Sequence, residues 1–437
     1  MAPTLRQAGT NLLTQVTDAL SRVTAYTYDS NGNVLTLTDP AFNTTTFTYE
    51  PTFNRLATLT DALTPAHVTT FAYNDVARTT TITNPLSKQT VIQYNSAGQP
   101  TTVTDPLSHA TSFGYDSQGN LTTTTDALGN VTTRQYDPVS RLLTLIDPRG
   151  RVTRFQYDLL NHVTQIQDPL SGTTGFTYDL NGNLLTVQDA KTQTTTYMYD
   201  EMDRLKTRKD ALNRTESYQY DKAGNLTQFT DRKGQVSTFG YDALNRRTSA
   251  TYPGATVTFG YDAIGRLTSA NDSVGGTITW VYDTVASGHH PRVAETTATG
   301  TVTVEYDEIG RRAKLSATGQ ADTTYGYDAA SQFQTVTKGT QTVTLAYDAG
   351  RRTSLTYPNG VISSYGYDNA NRLLTLTHVK SPTTIESLTY TYDSAGTASR
   401  RPEPTPPPRR SPRRSLPHRS RMTRRTNCSA GTTRRII

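Results

Sequence analysis

Tyrosine recurs every 21 residues through the middle of this chain, and Asp follows nearly every copy. A fixed period of this length is typical of one structural unit copied along the chain. So many copies of one dyad predict an architectural role, and no single copy is expected to be an active site. The pairs that we predict to be structural are Tyr28 and Asp29, Tyr115 and Asp116, Tyr136 and Asp137, Tyr157 and Asp158, Tyr178 and Asp179, Tyr199 and Asp200, Tyr220 and Asp221, and Tyr241 and Asp242.

One unit, residues 115–137, contains two Thr-rich runs, Leu121–Thr125 and Val131–Tyr136. Thr and Tyr favour strands, and a Gly-Asn dipeptide precedes each run. Gly and Asn tolerate the positive φ that tight hairpin turns require. Asp126 opens the second turn, where its carboxylate can accept a hydrogen bond from a backbone N–H two residues on. Each unit is therefore predicted to be strand, turn, strand, turn.

Alternation along the second strand places Thr132, Arg134 and Tyr136 on one face. In most other units an aromatic residue stands two positions before the repeat tyrosine and joins this face. Stacked copies predict two aromatic columns that supply the core of a chain poor in Leu and Ile. The opposite face, rich in Thr, Gln and Ser, is predicted to meet water.

The charge of the chain is unevenly distributed. Residues 397–437 hold 12 of the 43 basic side chains and one of the 37 acidic ones, so the preceding 396 residues carry 31 basic and 36 acidic side chains, a net charge of −5. The high isoelectric point belongs to this tail. No nucleic-acid partner is therefore expected for the repeats.

The unit Y-D-x-x-G-N-L-T-x-x-T-D-x-x-G-N-x-T resembles the YD repeat of RHS proteins, over about residues 11–396. Related repeats occur in bacterial polymorphic toxins, in the shells of insecticidal toxin complexes and in teneurins. The resemblance implies an all-β fold in which tandem hairpins of about 21 residues form a curved, spiralling β-sheet ribbon, an open partial shell. In the toxins such a shell encloses a C-terminal effector.

Three segments are predicted. Residues 1–10 are a disordered start, residues 11–396 are one extended repeat array, and residues 397–437 are a basic, Pro- and Arg-rich disordered tail. In a shifted reading frame, one choice of codons converts residues 422–429 into another Tyr-Asp repeat start. We therefore interpret the tail as a frameshift product and the chain as a fragment of a longer protein.

The size of the shell follows from the number of units. Eighteen units give about 35 strands and, at about 4.8 Å between strands, a ribbon about 170 Å long. A ring about 50 Å wide, which encloses an effector about 30 Å across, needs about 160 Å. About one turn of shell, open at both ends, is predicted.

Catalytic, metal and cofactor sites are not predicted. The scattered histidines include one adjacent pair, His289 and His290, for which an exposed loop is favoured over a metal site. The single Trp, Trp280, is expected to pack within a strand. Turns that carry Arg where others carry Asn, such as Ser140-Arg141, leave two alternatives, a solvated Arg, which we favour, or an ion pair with a repeat Asp.

The favoured function is that of a non-catalytic structural shell segment, part of a larger secreted or surface toxin. Its expected partners are the remaining shell and the effector of a parent RHS protein. The alternatives are a repeat module that binds cell-surface carbohydrate or protein, which exposed Tyr columns would favour, and a self-processing component, for which no paired carboxylates are seen. No signal peptide or membrane span is evident, and the family suggests an extracellular or cell-envelope location.

Overall fold

The structure is a computed structural model that describes residues 4–7, 9–282 and 293–398. These residues form 37 β-strands and no helix. Every strand pairs antiparallel with the strands before and after it in the sequence, so the sheet is one ribbon laid down in chain order. The predicted all-β ribbon of hairpins is confirmed.

The strands, numbered in chain order, are β1 Thr4–Arg6, β2 Leu13–Thr17, β3 Val23–Tyr28, β4 Val34–Thr38, β5 Thr44–Tyr49, β6 Leu56–Thr60, β7 Val68–Asn74, β8 Thr79–Thr83, β9 Gln89–Tyr94, β10 Pro100–Thr104, β11 Ala110–Tyr115, β12 Leu121–Thr125, β13 Val131–Tyr136, β14 Leu142–Ile146, β15 Val152–Tyr157, β16 Val163–Gln167, β17 Thr173–Tyr178, β18 Leu184–Gln188, β19 Thr194–Tyr199, β20 Leu205–Lys209, β21 Thr215–Tyr220, β22 Leu226–Thr230, β23 Val236–Tyr241, β24 Arg247–Tyr252, β25 Ala255–Tyr261, β26 Leu267–Asp272, β27 Gly276–Tyr282, β28 Val293–Thr297, β29 Gly300–Tyr306, β30 Arg312–Ala317, β31 Thr323–Tyr327, β32 Phe333–Lys338, β33 Gln341–Asp348, β34 Arg351–Thr356, β35 Ile362–Tyr367, β36 Leu373–Lys380 and β37 Thr383–Thr389.

The 21-residue period is the sum of four segments. In the unit that begins at β13, a strand of 6 residues, a turn of 5, a strand of 5 and a second turn of 5 follow one another. The fourth turn residue has a positive φ, +88° at Gly119 and +66° at Ser140, as the turn chemistry predicts.

Because strands alternate in direction, the turns collect at two rims. The Tyr-Asp rim consists of the turns that follow the repeat tyrosines, such as residues 137–141. The Thr-Asp rim consists of the other turns, such as residues 147–151. From residue 252 onward several turns of the Thr-Asp rim shorten, as in the two-residue loop between Tyr252 and Ala255.

A β-bulge accompanies most repeat tyrosines. In β13 and β14, Gln135 pairs with Thr144 but Tyr136 pairs with Leu142, so Leu143 is the extra residue. Bulges increase the local twist and bend the strand that carries them. Because the bulge recurs beside the same rim, it curves the ribbon in one direction.

The two faces of the ribbon differ as predicted, but the core does not close. Phe155 lies opposite Ile166, and Phe176 lies opposite Val187, on the aromatic face. The repeat tyrosines and these phenylalanines are only half-buried. The apolar side chains of the described residues that are fully buried are Ala41, Ala250 and Leu345. The expected buried core is therefore wrong, because a single-layer sheet has no second layer to cover its apolar face.

The N-terminal segment of the chain adds a short strand to the sheet. Strand β1 pairs with β2 through Thr4 and Val16, so part of the predicted disordered start is a strand. Without β1 the outer edge of β2 would be unpaired, and this short segment covers that edge. The predicted tail and frameshift product, residues 397–437, lies outside the described residues from 399 onward, and so does the His289 and His290 pair.

Candidate functional site

The repeat tyrosine links neighbouring strands through its hydroxyl group. Tyr136 donates to the backbone carbonyl of Leu121 at 2.9 Å, and Tyr157 donates to that of Leu142 at 2.8 Å. The same bond, at 2.7 to 3.0 Å, recurs along the ribbon; its donors include Tyr28, Tyr49, Tyr73, Tyr115, Tyr178, Tyr199, Tyr220, Tyr241, Tyr261, Tyr282, Tyr327, Tyr347, Tyr367 and Tyr392. Partial burial raises the pKa of Tyr157, because the phenolate would lose hydration. The tyrosine is a strand-to-strand clamp.

The repeat aspartate closes its own turn. Asp137 Oδ1 accepts the N–H groups of Val139 at 3.0 Å and Arg141 at 2.9 Å. The Asp of a Thr-Asp turn does the same, as Asp126 accepts from Leu128 at 2.9 Å. This is the Asx geometry that the sequence predicts, and it uses the carboxylates that a calcium site would need.

The Arg of the Tyr-Asp turn makes contacts in two successive units. Arg141 Nε donates to Asp137 Oδ2 at 2.6 Å, and its NH1 donates to the Asp158 carbonyl at 3.0 Å. Its guanidinium lies 5.0 Å from the centre of the Tyr157 ring. The solvated Arg that we favoured is wrong. The planar guanidinium contacts one carboxylate, one carbonyl and one aromatic ring at the same time. An Arg side chain that extended into solvent would lose all three contacts.

The same Arg clamp recurs at Arg204, Arg246 and Arg372, each of which binds its own Asp and reaches the backbone carbonyl of the next repeat Asp. Arg351 makes the second contact alone, with the carbonyl of Asp368. Turns with Asn replace it by an amide. Asn225 donates to Asp221 at 2.9 Å and to Asn245 of the next turn at 2.9 Å. His162 stacks on Tyr178, with ring centres 4.7 Å apart. Side chains of the Tyr-Asp rim thus link many successive turns among the described residues.

This hydrogen bonding lowers the pKa of several repeat aspartates. The backbone N–H of Arg141 lowers the pKa of Asp137, desolvation opposes it, and the Arg141 side chain lowers it further. In an Asn turn the side chain of Asn225 is the largest cause of the lowered pKa of Asp221. These carboxylates are held ionised, which suits turn closure and gives none of them the raised pKa of a general acid.

The ribbon returns to touch itself along a seam, the contact of Tyr-Asp turns in residues 348–397 with Thr-Asp turns in residues 84–151. Lys88 Nζ lies 3.1 Å from Asp348 Oδ1, 260 residues away. Arg149 NH1 donates to Asp393 Oδ2 at 2.6 Å, 244 residues away. Between these two pairs the seam encloses a cavity of about 160 Å³, lined from its two sides by Ala127 and Ala370 among others.

The seam fixes the circumference of the ring. The strands between paired seam positions run from β9 to β33 or from β15 to β37, which is about 24 strands per turn. At about 4.8 Å per strand the ring is about 115 Å around and about 37 Å across. The 37 strands make about one and a half turns, so the expected single turn of a wider ring is wrong. The bulge at each unit bends the ribbon more tightly than flat strands allow.

Sequence reasoning missed the seam residues because no local pattern marks them. Lys88 and Arg149 stand in ordinary turns, and only the circumference of the ring brings them to their partners. A second missed cluster lies on the aromatic face, where Glu216 binds Arg208 at 3.3 Å and Arg232 at 2.7 Å. The signal for it was Arg and Glu at positions that other units fill with apolar residues or Thr.

The other candidates considered are Trp280, a metal site and a membrane span. Trp280 lies on β27 as expected, and its Nε1 donates to Glu295 at 3.1 Å. Within the described ranges no group of three or more His, Cys, Asp or Glu could hold a metal ion. None of the described residues belongs to a helix long and apolar enough to span a membrane.

Two protein-family models match the repeats. The Teneurin YD-shell model matches residues 150–311, and the RHS Repeat model matches residues 9–41, 94–131, 115–151 and 347–384. The chain belongs to the RHS/YD-repeat family. No curated protein matches this YD-repeat chain.

Solved structures share the fold of this YD-repeat chain. The crystal structure of TcdB2-TccC3 matches with a TM-score of 0.63 and 15% identity, over 90% of this chain and 28% of that one. The complex TcdB2-TccC3-Cdc42 gives 0.63 and 14%, over 90% and 30%. The Photorhabdus luminescens Tc holotoxin pore gives 0.61 and 14%, again over 90% and 30%. This YD-repeat chain thus spans under a third of the solved chains that it matches.

Proposed function

We propose that this chain is a non-catalytic structural segment of an RHS/YD-repeat shell, part of a larger secreted or surface toxin that encapsulates a C-terminal effector. Its partners are then the remaining shell and the effector of that protein, in an extracellular or cell-envelope location. The observation that supports the proposal is the seam. A ribbon that winds into a ring, with one winding stacked on the next, surrounds a space.

The dimensions of the ring support a role as one section of a container. Subtracting about 5 Å of side chain on each side of a ring about 37 Å across leaves a space about 27 Å wide. Each turn is about 20 Å high, the length of a strand of about 6 residues. Such a section admits an extended polypeptide, and enclosing a folded effector about 30 Å across requires further shell.

The chemistry of the rims supports a structural rather than a catalytic role. The carboxylates, hydroxyl groups and guanidinium groups that recur most often are committed to backbone partners or to each other, as in Asp137 and Arg141. The pKa of Asp137 is lowered, which leaves no proton to donate near neutral pH.

A zero-length carbodiimide cross-linker tests the wrapped ribbon, because it joins a Lys amine to a carboxylate only when the two are in contact. In the full chain, mass spectrometry should find Lys88 joined to Asp348. Lys233, on the part of the Thr-Asp rim outside the seam, serves as the control and should gain no cross-link to residues 348–397. Recovery of Lys88 only in local cross-links would sink the wrapped shell.

The alternative function, a module that binds carbohydrate or protein, finds less support. The tyrosine columns are half-buried, and hydroxyl groups such as that of Tyr136 already donate to the backbone. Acrylamide quenching of tyrosine fluorescence separates the two: weak quenching favours a shell segment, and quenching near that of free tyrosine favours a binding face.

A further inference from the structure

One position of the Thr-Asp turn, the second residue after its Asp, is partly covered in the seam and more exposed outside it. Leu86 and Leu128, within the seam, are each 41% exposed. Leu170 and Leu212, which occupy the same turn position beyond residue 151, are 91% and 69% exposed. The seam therefore partly shields this position, and two of the four later turns, 168–172 and 210–214, present the same apolar side chain without a cover.

The Tyr-Asp rim shows the complementary pattern. In the seam the second residue after the Asp is small and half-buried, as at Ala370 and Ala395. In the turns of residues 137–246 this position is bulky, apolar and 61 to 70% exposed in four of the six turns, namely at Val139, Leu160, Met202 and Leu244. Exposed apolar side chains in series along one edge of a protein mark a contact surface.

The geometry of the ring explains why these turns are uncovered. A Tyr-Asp turn meets the Thr-Asp turn that lies 244 to 260 residues earlier. Tyr-Asp turns up to residue 246 and Thr-Asp turns beyond residue 151 therefore have no partner turn among the described residues. The part of the chain that the structure describes thus carries both halves of the seam contact, each without its counterpart.

Charge on the two uncovered rims repeats the polarity of the seam. In the seam Arg149, two residues after its Asp, pairs with Asp393, the first residue of a Tyr-Asp turn. Lys191 and Lys233 hold the position of Arg149 in uncovered Thr-Asp turns and are exposed. The uncovered Tyr-Asp turns of residues 137–246 hold eight acidic and four basic side chains, a net charge of −4. The uncovered Thr-Asp turns of residues 168–235 hold four acidic and four basic side chains and are neutral overall, so charge complementarity rests on single ion pairs that Lys191 and Lys233 can make with the acidic Tyr-Asp rim, as Arg149 does in the seam.

We propose that the uncovered Tyr-Asp rim of one copy, residues 137–246, docks onto the uncovered Thr-Asp rim of a second copy, residues 168–235, in the manner of the internal seam. The inference rests on the proposed shell and names a partner for its rims. The contact is heterologous, since two different surfaces meet, so copies add head to tail and the stack does not close on a dimer.

Sedimentation velocity of the full chain under reducing conditions tests the proposal. The average mass of the wild type should rise with concentration beyond that of a dimer. A Tyr-Asp rim variant, Leu160→Asp with Leu244→Asp, and a Thr-Asp rim variant, Leu170→Asp with Leu212→Asp, should each associate at least about tenfold more weakly. The matched control, Met198→Asp with Val281→Asp, changes side chains 61% and 63% exposed on the polar face and should associate like the wild type.

Mixing the two rim variants provides the decisive arm. Each retains the rim that the other lacks, so an equimolar mixture should form a one-to-one dimer and nothing larger. The proposal would be overturned if both rim variants associated as strongly as the wild type, for example through their edge strands. It would also be overturned if the rim variants did not pair in the mixture.

The cross-link between Lys88 and Asp348 separates this proposal from the proposed function. A wild type that stays monomeric at every concentration and still gives the cross-link refutes docking of a second copy and leaves the shell standing. Loss of the cross-link in the monomer refutes the shell itself.

Discussion

Lys88 and Asp348 form an ion pair of 3.1 Å between Nζ and Oδ1 across 260 residues of sequence. Both side chains are 41 to 45% exposed, so the pair is expected to contribute only about 0–1 kcal/mol. The pair matters for the register of the seam, because it fixes which Thr-Asp turn contacts which Tyr-Asp turn. An unstable or shifted seam would change the circumference of the ring.

Charge reversal at this pair should loosen the seam without unfolding the ribbon. We expect Lys88→Asp or Asp348→Lys to increase amide hydrogen exchange in residues 348–351 while the melting temperature stays nearly unchanged. The double variant, which restores an opposite-charge pair, should return exchange toward the wild type. Lys233→Asp, on the uncovered rim, is the control. An equal increase in the exchange of residues 348–351 in this control variant would contradict the role of the seam.

Removal of one tyrosine hydroxyl tests the strand clamp. Tyr136→Phe deletes the hydrogen bond to the Leu121 carbonyl and should cost about 0.5–1.5 kcal/mol of unfolding free energy. Tyr26→Phe is the control, since no hydrogen bond of the Tyr26 hydroxyl is found among the described residues. Urea denaturation followed by circular dichroism compares the two, and equal midpoints would reject the clamp. Because neighbouring units couple, the loss should appear as local opening near β12 and β13.

The Arg clamp predicts an unusual order of substitutions. Arg141→Lys keeps the charge but loses the fork to Asp137 and Asp158 and the contact with Tyr157. Arg141→Asn introduces the side chain that neighbouring Asn turns already use, as at Asn120 and Asp116. We therefore expect Lys to destabilise by about 1 kcal/mol and Asn by less. Denaturant midpoints decide the order, and Arg154→Ala, at an exposed strand position, controls for loss of a charge.

Much of this fold could be predicted from the sequence, because every signal is local and repeated. Gly119 and Asp126 identify turns by their backbone requirements, and alternation in β13 identifies the faces. The Arg141 clamp could not be predicted with the same ease, since a turn Arg is usually solvated. Its second set of contacts lies 17 to 20 residues further along the chain.

The seam contacts could not be predicted from the sequence for a different reason. Its residues are brought together by the circumference of the ring, which depends on the bend that each bulge adds. A small error in the bend per unit, summed over about 12 units, moves the contact by a whole turn. Nothing in the local sequence of Lys88 or Arg149 distinguishes them from the cations of uncovered turns.

The lowered pKa of repeat aspartates such as Asp137 predicts how the ribbon responds to acid. A carboxylate with a folded pKa below its unfolded value stabilises above the unfolded pKa, about 4, and this stability is lost as pH falls through the folded pKa. The shift is downward at Asp137, Asp221 and Asp262 alike. Unfolding free energy should therefore be nearly flat from neutral pH to about pH 5 and decline below about pH 4.

Asp137→Asn isolates the contribution of one turn. At neutral pH the variant should be less stable than the wild type, because the charge-assisted bond to Arg141 is lost. As pH falls and Asp137 is protonated, the difference between the two proteins should shrink. Urea denaturation at several pH values measures it, and a difference that stays constant down to pH 2 would contradict the assignment.

Phe42 holds a backbone conformation that its side chain opposes. Its φ is +66°, its side chain is 77% exposed, and the equivalent turn position elsewhere is filled mostly by Gly, Asn or Ser. The left-handed region costs most residues about 1 kcal/mol, and Asn tolerates it better. We expect Phe42→Asn to raise the unfolding free energy by about 0.5–1 kcal/mol, and the reverse change at Asn213, where φ is +63°, to lower it by a similar amount. A lower denaturant midpoint for Phe42→Asn would instead mean that the exposed ring makes a contact that outweighs the strain of its turn.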